Sequence, residues 1–165
     1  MALYQYIRRA WKEPDAELTR ARILQWRREP VTVRLARPTR LDRARALGYR
    51  AKQGFLIVRQ RVIRGGRMKP RRKAGRRSKR MSRRKDLDMS YQEVAEIRAN
   101  KKYRNCEVLN SYFIGKDGRY YWYEVILVDR AHPAILKDKN INWISKKKGR
   151  VFRGLTAAGK RSGKG

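Results

Sequence analysis

Between Arg64 and Lys85 the chain reads RGGRMKPRRKAGRRSKRMSRRK, in which thirteen of twenty-two residues are Lys or Arg and none is Asp or Glu. The acid-free zone is longer still, because no carboxylate lies between Asp42 and Asp86. Like charges repel, and a run with almost no apolar surface has nothing to bury, so alone in water this stretch is expected to be disordered. Gly65, Gly66, Gly75 and Pro70 add flexibility and interrupt helix. Such an arm orders when an anionic partner neutralises it. The rest of the chain then has to be a small folded module that holds the arm in place.

Length and charge bound the possibilities. The 165 residues allow a single domain, with globular parts at about 1–63 and 86–145, a basic arm at about 64–85 and a basic tail at about 146–165. A net charge of +32 opposes compaction by self-repulsion and is rare among soluble enzymes. Charge alone admits RNA, DNA or an acidic membrane. Hydrophobic residues make up 41% of the chain and lie mostly outside the arm, which leaves a modest core. The single cysteine, Cys106, permits no internal disulfide or thiolate metal cluster and fits a reducing intracellular compartment. The opening MALYQYIRRAWKEPD lacks the apolar stretch of a secretory signal, and no run approaches the ~20 apolar residues of a membrane span.

Taken in order, the pattern predicts α+β: a small mixed or antiparallel sheet with flanking helices, plus long basic extensions ordered by RNA. Residues 2–11 alternate aromatic and basic side chains and suit a short helix. A second helix starts at Pro14, with Asp15 and Glu17 complementing its dipole, and stops before Pro30. Its apolar residues form no clean stripe among Arg20, Arg22, Arg27 and Arg28. It is either contacted from several sides, by core and nucleic acid, or a poorly amphipathic surface helix. Residues 31–36 read as a strand. Thr39 is placed to cap a short helix through Asp42 to Leu47, with Arg40 and Arg43 on one face of it and Gly48 as its stop. The strand FLIVRQRVIR sets Phe55, Ile57, Arg59 and Arg61 on one face and Leu56, Val58 and Val62 on the other. Ser90 and Glu93 have capping-box spacing before a helix running to about Lys102. The acids Asp86, Asp88, Glu93 and Glu96 either favour that helix start, the preferred reading, or tether the arm. Residues 107–114 and 119–129 form a hairpin about Gly115-Lys116-Asp117-Gly118. In its second strand Tyr120, Trp122, Ile126 and Val128 share one face, and Tyr121, Tyr123, Val125 and Leu127 the other. Residues 131–139 suit a turn or short helix. The tail from Lys146 is expected to be extended or loosely helical and held by its partner.

No motif supports catalysis. Gly154-x-x-x-x-Gly159-Lys160 imitates a phosphate-binding loop, but Arg161 stands where the magnesium-binding hydroxyl belongs. Only five residues follow Lys160, too few for the helix such a loop opens. Asp129, His132 and Asp138 are a thin set for a metal, and His132 before Pro133 suits a turn. Cys106 reads as a small buried thiol. One histidine rules out a Ser/His/Asp arrangement. The hairpin tyrosines raise the question of base stacking, but the signature of the four-stranded RNA-recognition fold is absent. Arg64-Gly65-Gly66-Arg67 resembles one unit of Arg-Gly-Gly RNA-binding repeats. Arginine, with its planar fork of donors, suits phosphate and folded RNA better than lysine does.

Several stretches together resemble one family. They are RLARPTRLDRARALGYRAKQGF (34–55), NSYFIGKDGRYYWYEVILVDRAHPAI (110–135), INWI (141–144) and RGLTAAGK (153–160), with MALYQYIRRAW at the start. All are similar to the L15e family of large-subunit ribosomal proteins of archaea and eukaryotes, and the short tail is similar to archaeal members. The resemblance covers nearly the whole chain in order, although the arm and the 86–102 helix match mainly in character. It implies an α+β domain with basic extensions buried in large-subunit rRNA, beside neighbouring ribosomal proteins in the cytoplasmic ribosome. It implies no catalysis, no cofactor, no metal, no membrane and no small-molecule substrate. The expected RNA-facing group of the domain is Arg34, Arg37, Arg40, Arg43, Arg45, Arg50, Lys52, Arg59 and Arg61. The arm adds Arg64, Arg67, Lys69, Arg71, Arg72, Arg76, Arg77, Lys79 and Arg80, and the tail adds Arg153 and Lys160. Most should touch phosphate or sugar instead of base edges. The alternative is a free-standing, non-specific RNA- or DNA-binding or chaperone protein. An RNA-modifying enzyme would need a catalytic constellation that the sequence lacks.

Overall fold

The computed structural model describes residues 2–68, 73–76, 84–85 and 87–163. Its centre is a four-stranded antiparallel sheet of β1 (Thr32–Leu35), β2 (Phe55–Ile63), β5 (Cys106–Lys116) and β6 (Tyr120–Asp129), in the order β1-β2-β6-β5. The α+β expectation holds. Strands β2 and β6 are central, and every residue of β6 from Trp122 to Val128 is buried. Two register shifts in β5, between Val108 and Asn110 and between Phe113 and Gly115, bend this edge strand over the core.

The alternation read from the sequence sorts β6 correctly, and both faces are covered. On one face Trp122, Ile126 and Ile57 pack with Trp26, Ala44, Tyr112 and Ile114. That layer comes from α2 (Ala16–Arg28) and α3 (Leu41–Ala46), with α1 (Ala2–Lys12) resting against α3. On the other face Val58, Val108, Val125 and Leu127 meet Ala99 of α4 (Tyr91–Lys102), and Tyr123 and Val62 meet Ala95. The hairpin tyrosines are therefore engaged with other side chains: Tyr121 lies 4.9 Å from Tyr91 and 6.2 Å from Phe113 between ring centroids.

Several local expectations shift. The second helix begins after Pro14, because Asp15 is its N-cap and its carboxylate accepts from the Glu17 amide at 2.8 Å. Thr39 does not cap α3; Arg40 takes the N-cap position without a side-chain cap, and the Thr39 amide donates to the Glu124 carboxylate at 3.1 Å. Ser90 caps α4 as read, accepting from the Glu93 amide at 3.2 Å. Glu93 and Glu96 do not reach outward; both are buried beneath the helix. Asp86 lies outside the described residues.

The end of the chain is the largest departure. Instead of an extended or loosely helical tail, residues 151–153 form a 3₁₀ turn and α6 (Ala157–Arg161) follows, with Val151, Thr156, Ala158 and Gly159 buried. The buried Glu107 carboxylate fixes this return by accepting from the amides of Gly149, at 2.8 Å, and Arg150, at 3.2 Å. Gly159 packs directly on Gly154: a Cβ there would lie 2.6 Å from the Gly154 Cα. The residues that imitate a phosphate loop thus make a close backbone contact.

Between the two halves, β3 (Arg67–Met68) and β4 (Arg84–Lys85) pair antiparallel, so the two ends of the basic segment are joined. Its root is pinned as well. The Gly65 amide donates to the Tyr91 hydroxyl at 2.8 Å, and Arg64 donates to the Asp117 carbonyl at 2.6 Å.

Candidate nucleic-acid interface

The cations expected to face a polyanion divide by what they touch. Arg34, Arg37, Arg43, Arg50, Arg76 and Lys160 are exposed and form no ion pair among the described residues. Arg45 is exposed and donates to the Tyr4 hydroxyl. Arg64 lies over the Tyr121 ring at 4.9 Å, and Arg153, also exposed, donates to the Lys148 carbonyl at 2.7 Å. These groups keep most of their donors turned outward. The side chain of Arg67 lies outside the described residues, as do Lys69, Arg71, Arg72, Arg77, Lys79 and Arg80.

The other four described members of the expected group also have internal partners. Arg40 pairs with Asp42 at 3.1 Å, and Lys52 pairs with Asp138 while donating to the Ala134 carbonyl at 3.3 Å. Arg61 donates to the Arg27 carbonyl at 2.7 Å. Arg59 is a correction: it is only 7% exposed, pairs with Glu29 and lies over Trp26 at 4.9 Å. Its place beside Ile57 puts it inside the α2 layer, where a guanidinium persists because a carboxylate and an aromatic face replace water.

The pairs leave a mark on titration. Burial pushes the Asp42 carboxyl up, but the Arg40 hydrogen bond, the Arg43 amide and nearby guanidiniums bring it below the usual carboxylate range. Asp117 behaves alike: burial opposes, while Arg27 at 2.7 Å and the amides of Tyr120 and Arg119 prevail. Asp138 is held low chiefly by its hydrogen bond from Lys52. Burial lifts the Cys106 thiol to about 11, which leaves it protonated and inert at neutral pH.

Two open grooves gather the outward cations. One, of ≈710 Å³, runs along Asn110–Phe113 of β5 between Arg40 and Arg43 of α3 and Lys160 and Arg161 of α6. The other, of ≈690 Å³, lies among Arg37, Arg45 and Lys52, with Pro38, Leu41 and Tyr49 at its base. Arg161, which also donates to the Gln92 side chain at 3.0 Å, stands outside the expected RNA-facing group, although the acid-free tail was its signal. Chemically, both grooves offer charged donors above a partly apolar floor, which suits phosphate groups on a carbon-rich backbone.

The remaining polar clusters serve the fold. His132 caps α5 (Pro133–Leu136), its Nδ1 accepting from the Ala134 amide at 3.2 Å, and Asp129 accepts from the Ala131 amide at 3.1 Å. Among the described residues no group of three or more His, Cys, Asp or Glu side chains could hold a metal ion. No helix among them is long and apolar enough to cross a membrane.

Comparison with known proteins agrees with the layout. The family described as Ribosomal L15 (Ribosomal_L15e) matches residues 2–164. The large ribosomal subunit protein eL15 of Methanocella arvoryzae is 54% identical over 165 residues, covering 96% of this chain and 84% of that protein. The protein of the same name from Methanospirillum hungatei JF-1 is 54% identical over 177 residues, covering 99% of this chain and 90% of its own. With the match spanning almost the whole chain and both relatives archaeal, the chain belongs to the ribosomal L15e family, as a member of archaeal type.

Proposed function

We propose that the chain is a structural constituent of the large ribosomal subunit in the cytoplasm and binds folded large-subunit rRNA through its arginines and lysines. The observation that carries this reading is the pairing of an acid-free arm with a domain whose exposed arginines line two grooves. The names of the archaeal relatives supply the assembly. The role is structural and not catalytic: the domain fixes where the arm enters, and the arm neutralises phosphates where RNA helices converge. Arg34, Arg37, Arg43, Arg45, Arg50, Arg64, Arg76, Arg153 and Lys160 are the contacts in the described part, mostly to phosphate and sugar. RNA is also what orders the arm. Neighbouring ribosomal proteins complete the environment.

Each phosphate neutralised releases counterions, so log K falls with log salt at a slope of about −0.7 to −0.9 per contact. The test is sedimentation of a lysate through a sucrose gradient, repeated at rising salt, with the chain followed by antibody. The expected result is co-migration with large subunits and assembled ribosomes, and release only at high salt. A chain that stays in the light fractions or follows DNA is a general polyanion binder, and the proposal fails.

A further inference from the structure

The arm and the grooves account for phosphates. They leave unexplained a small pocket of ≈220 Å³ between α1, α2 and the end of β5. Trp11, Ile23, Trp26 and Ile114 form its walls, so its interior is mostly ring and aliphatic carbon. Its depth depends on Gly115, since a Cβ there would lie 3.0 Å from the Trp26 ring and press it inward. The rim is cationic, with Arg22 and Lys116 both exposed. Arg22 also stands over the Trp11 ring at 5.5 Å.

This pocket opens beside the ≈710 Å³ groove along β5. Phe113 of the edge strand borders both, with its ring turned to Tyr121 and Tyr123 on the α4 face, at 6.2 and 5.8 Å between centroids. Arg40 borders the groove while its guanidinium lies over Trp11 at 5.2 Å. An aromatic slot joined to a cationic groove matches one ligand chemistry closely: a nucleotide out of its helix, charged along one edge and flat and apolar along the other. A paired base cannot enter, because its ring is already stacked. An apolar side chain from a protein would fill the slot but leave Arg22, Arg43, Lys116 and Lys160 without anions.

We propose that the pocket holds a single base extruded from the RNA, with its flanking phosphates in the β5 groove. This rests on the rRNA-binding reading above and adds a specific site to it. Trp11 stacks on the base, while Arg43 and Lys160 meet the phosphates. Carbon-lined walls select a flat ring by stacking and not by its hydrogen-bonding edge, so the site tolerates more than one base.

Plugging the slot tests this. Thr19 is a half-buried residue of α2 on the pocket wall, and in a Thr19→Trp chain the indole occupies the space. Large subunits assembled with this chain, with Trp11→Ala and with Trp11→Phe are treated with dimethyl sulfate and a carbodiimide, and base reactivity is read nucleotide by nucleotide. One nucleotide protected by the wild-type chain should gain at least about fivefold in reactivity with Thr19→Trp and with Trp11→Ala, the loss expected when a base–aromatic stack is removed. Trp11→Phe, which keeps an aromatic face, should keep the protection. Retention in the subunit with no nucleotide altered overturns the base slot and leaves the rRNA reading intact. Loss of a neighbouring protein from the Thr19→Trp subunit, with no nucleotide altered, assigns the slot to a side chain and also overturns it. If the wild-type chain never joins the large subunit, the underlying reading fails first and the slot falls with it.

Discussion

The two faces of the sheet each enclose glutamates, and they treat them differently. On the α2–α3 face Glu124 is wholly buried, and its oxygens are met by the Thr39 amide, at 3.3 and 3.1 Å, and by the Tyr112 hydroxyl. On the α4 face Glu96 is equally buried; Ser111 donates to one oxygen, and the other has no hydrogen-bond partner, as is true of one oxygen of Glu93. Burial lifts both Glu96 and Glu124 above the usual carboxylate range against the hydrogen bonds that hold them down. The α2–α3 face is also aromatic, with Trp26 and Trp122 at 5.9 Å, whereas α4 approaches the sheet through Ala95 and Ala99. One face is held by large rings and a partnered acid, the other by close small-residue packing around acids that are only half partnered. Stability should therefore be lost mainly by damage to the first face.

The largest effect is expected from Trp122→Ala. Trp122 is 1% exposed and joins β6 to the α2 layer, so the truncation leaves a cavity and should cost about 3–5 kcal/mol. Denaturant unfolding of the full chain at high ionic strength, where self-repulsion is screened, reads it out. A loss under about 1 kcal/mol would mean that the α1–α3 layer is not what closes this face.

Tyr112→Phe is the next largest and converts one kind of acid into the other. Without the hydroxyl, Glu124 keeps only the amide and side chain of Thr39 as hydrogen-bond donors and comes closer to Glu96. A lost hydrogen bond to a charged group should cost about 1.5–3 kcal/mol near neutral pH. The penalty should shrink under acid conditions, where a protonated Glu124 needs fewer donors. A penalty that does not change with pH would show that the tyrosine acts by packing and not by its hydroxyl.

These same acids mark where the sequence could be read and where it could not. Alternation along Tyr120–Val128 separated the two faces correctly, and Ser90 with Glu93 placed the start of α4, because both signals lie within a few residues. The misreadings share one cause, a carboxylate far along the chain. Glu29 draws Arg59 inward, Glu124 takes the Thr39 side chain that would otherwise cap α3, and Glu107 binds Gly149 and Arg150 and folds the tail back. In the same way Asp138 holds Lys52 and Asp117 holds Arg27. With 14 acids against 46 basic residues, each carboxylate has many possible partners, and nothing local in the sequence selects among them. The grooves were half legible for a related reason. Basic residues could be counted, but which of them meet across β5 depends on Lys160 and Arg161 returning with α6.

Glu96→Gln should have the smallest effect and the most telling one. The amide keeps an oxygen for Ser111, replaces the partnerless oxygen with a neutral group, and removes a negative charge beside Glu93. At neutral pH the change should lie between neutral and about 1 kcal/mol stabilising, since removing a half-satisfied buried charge offsets the lost acceptor. The pH dependence carries the sign. The folded-state value of Glu96 is raised above its ordinary 4.5, so folding favours the protonated form. Its contribution is complete below that value and declines as pH rises through the folded-state value. Glu124 acts in the same direction, while the lowered Asp42 and Asp117 lose their contribution only as pH falls through values below 3.8. Wild-type stability should thus decline on the alkaline side of 4.5, and Glu96→Gln should flatten that decline without touching the acid limb. If the variant instead loses more than about 2 kcal/mol at neutral pH, Glu96 is a fully satisfied carboxylate, and the contrast between the two faces disappears.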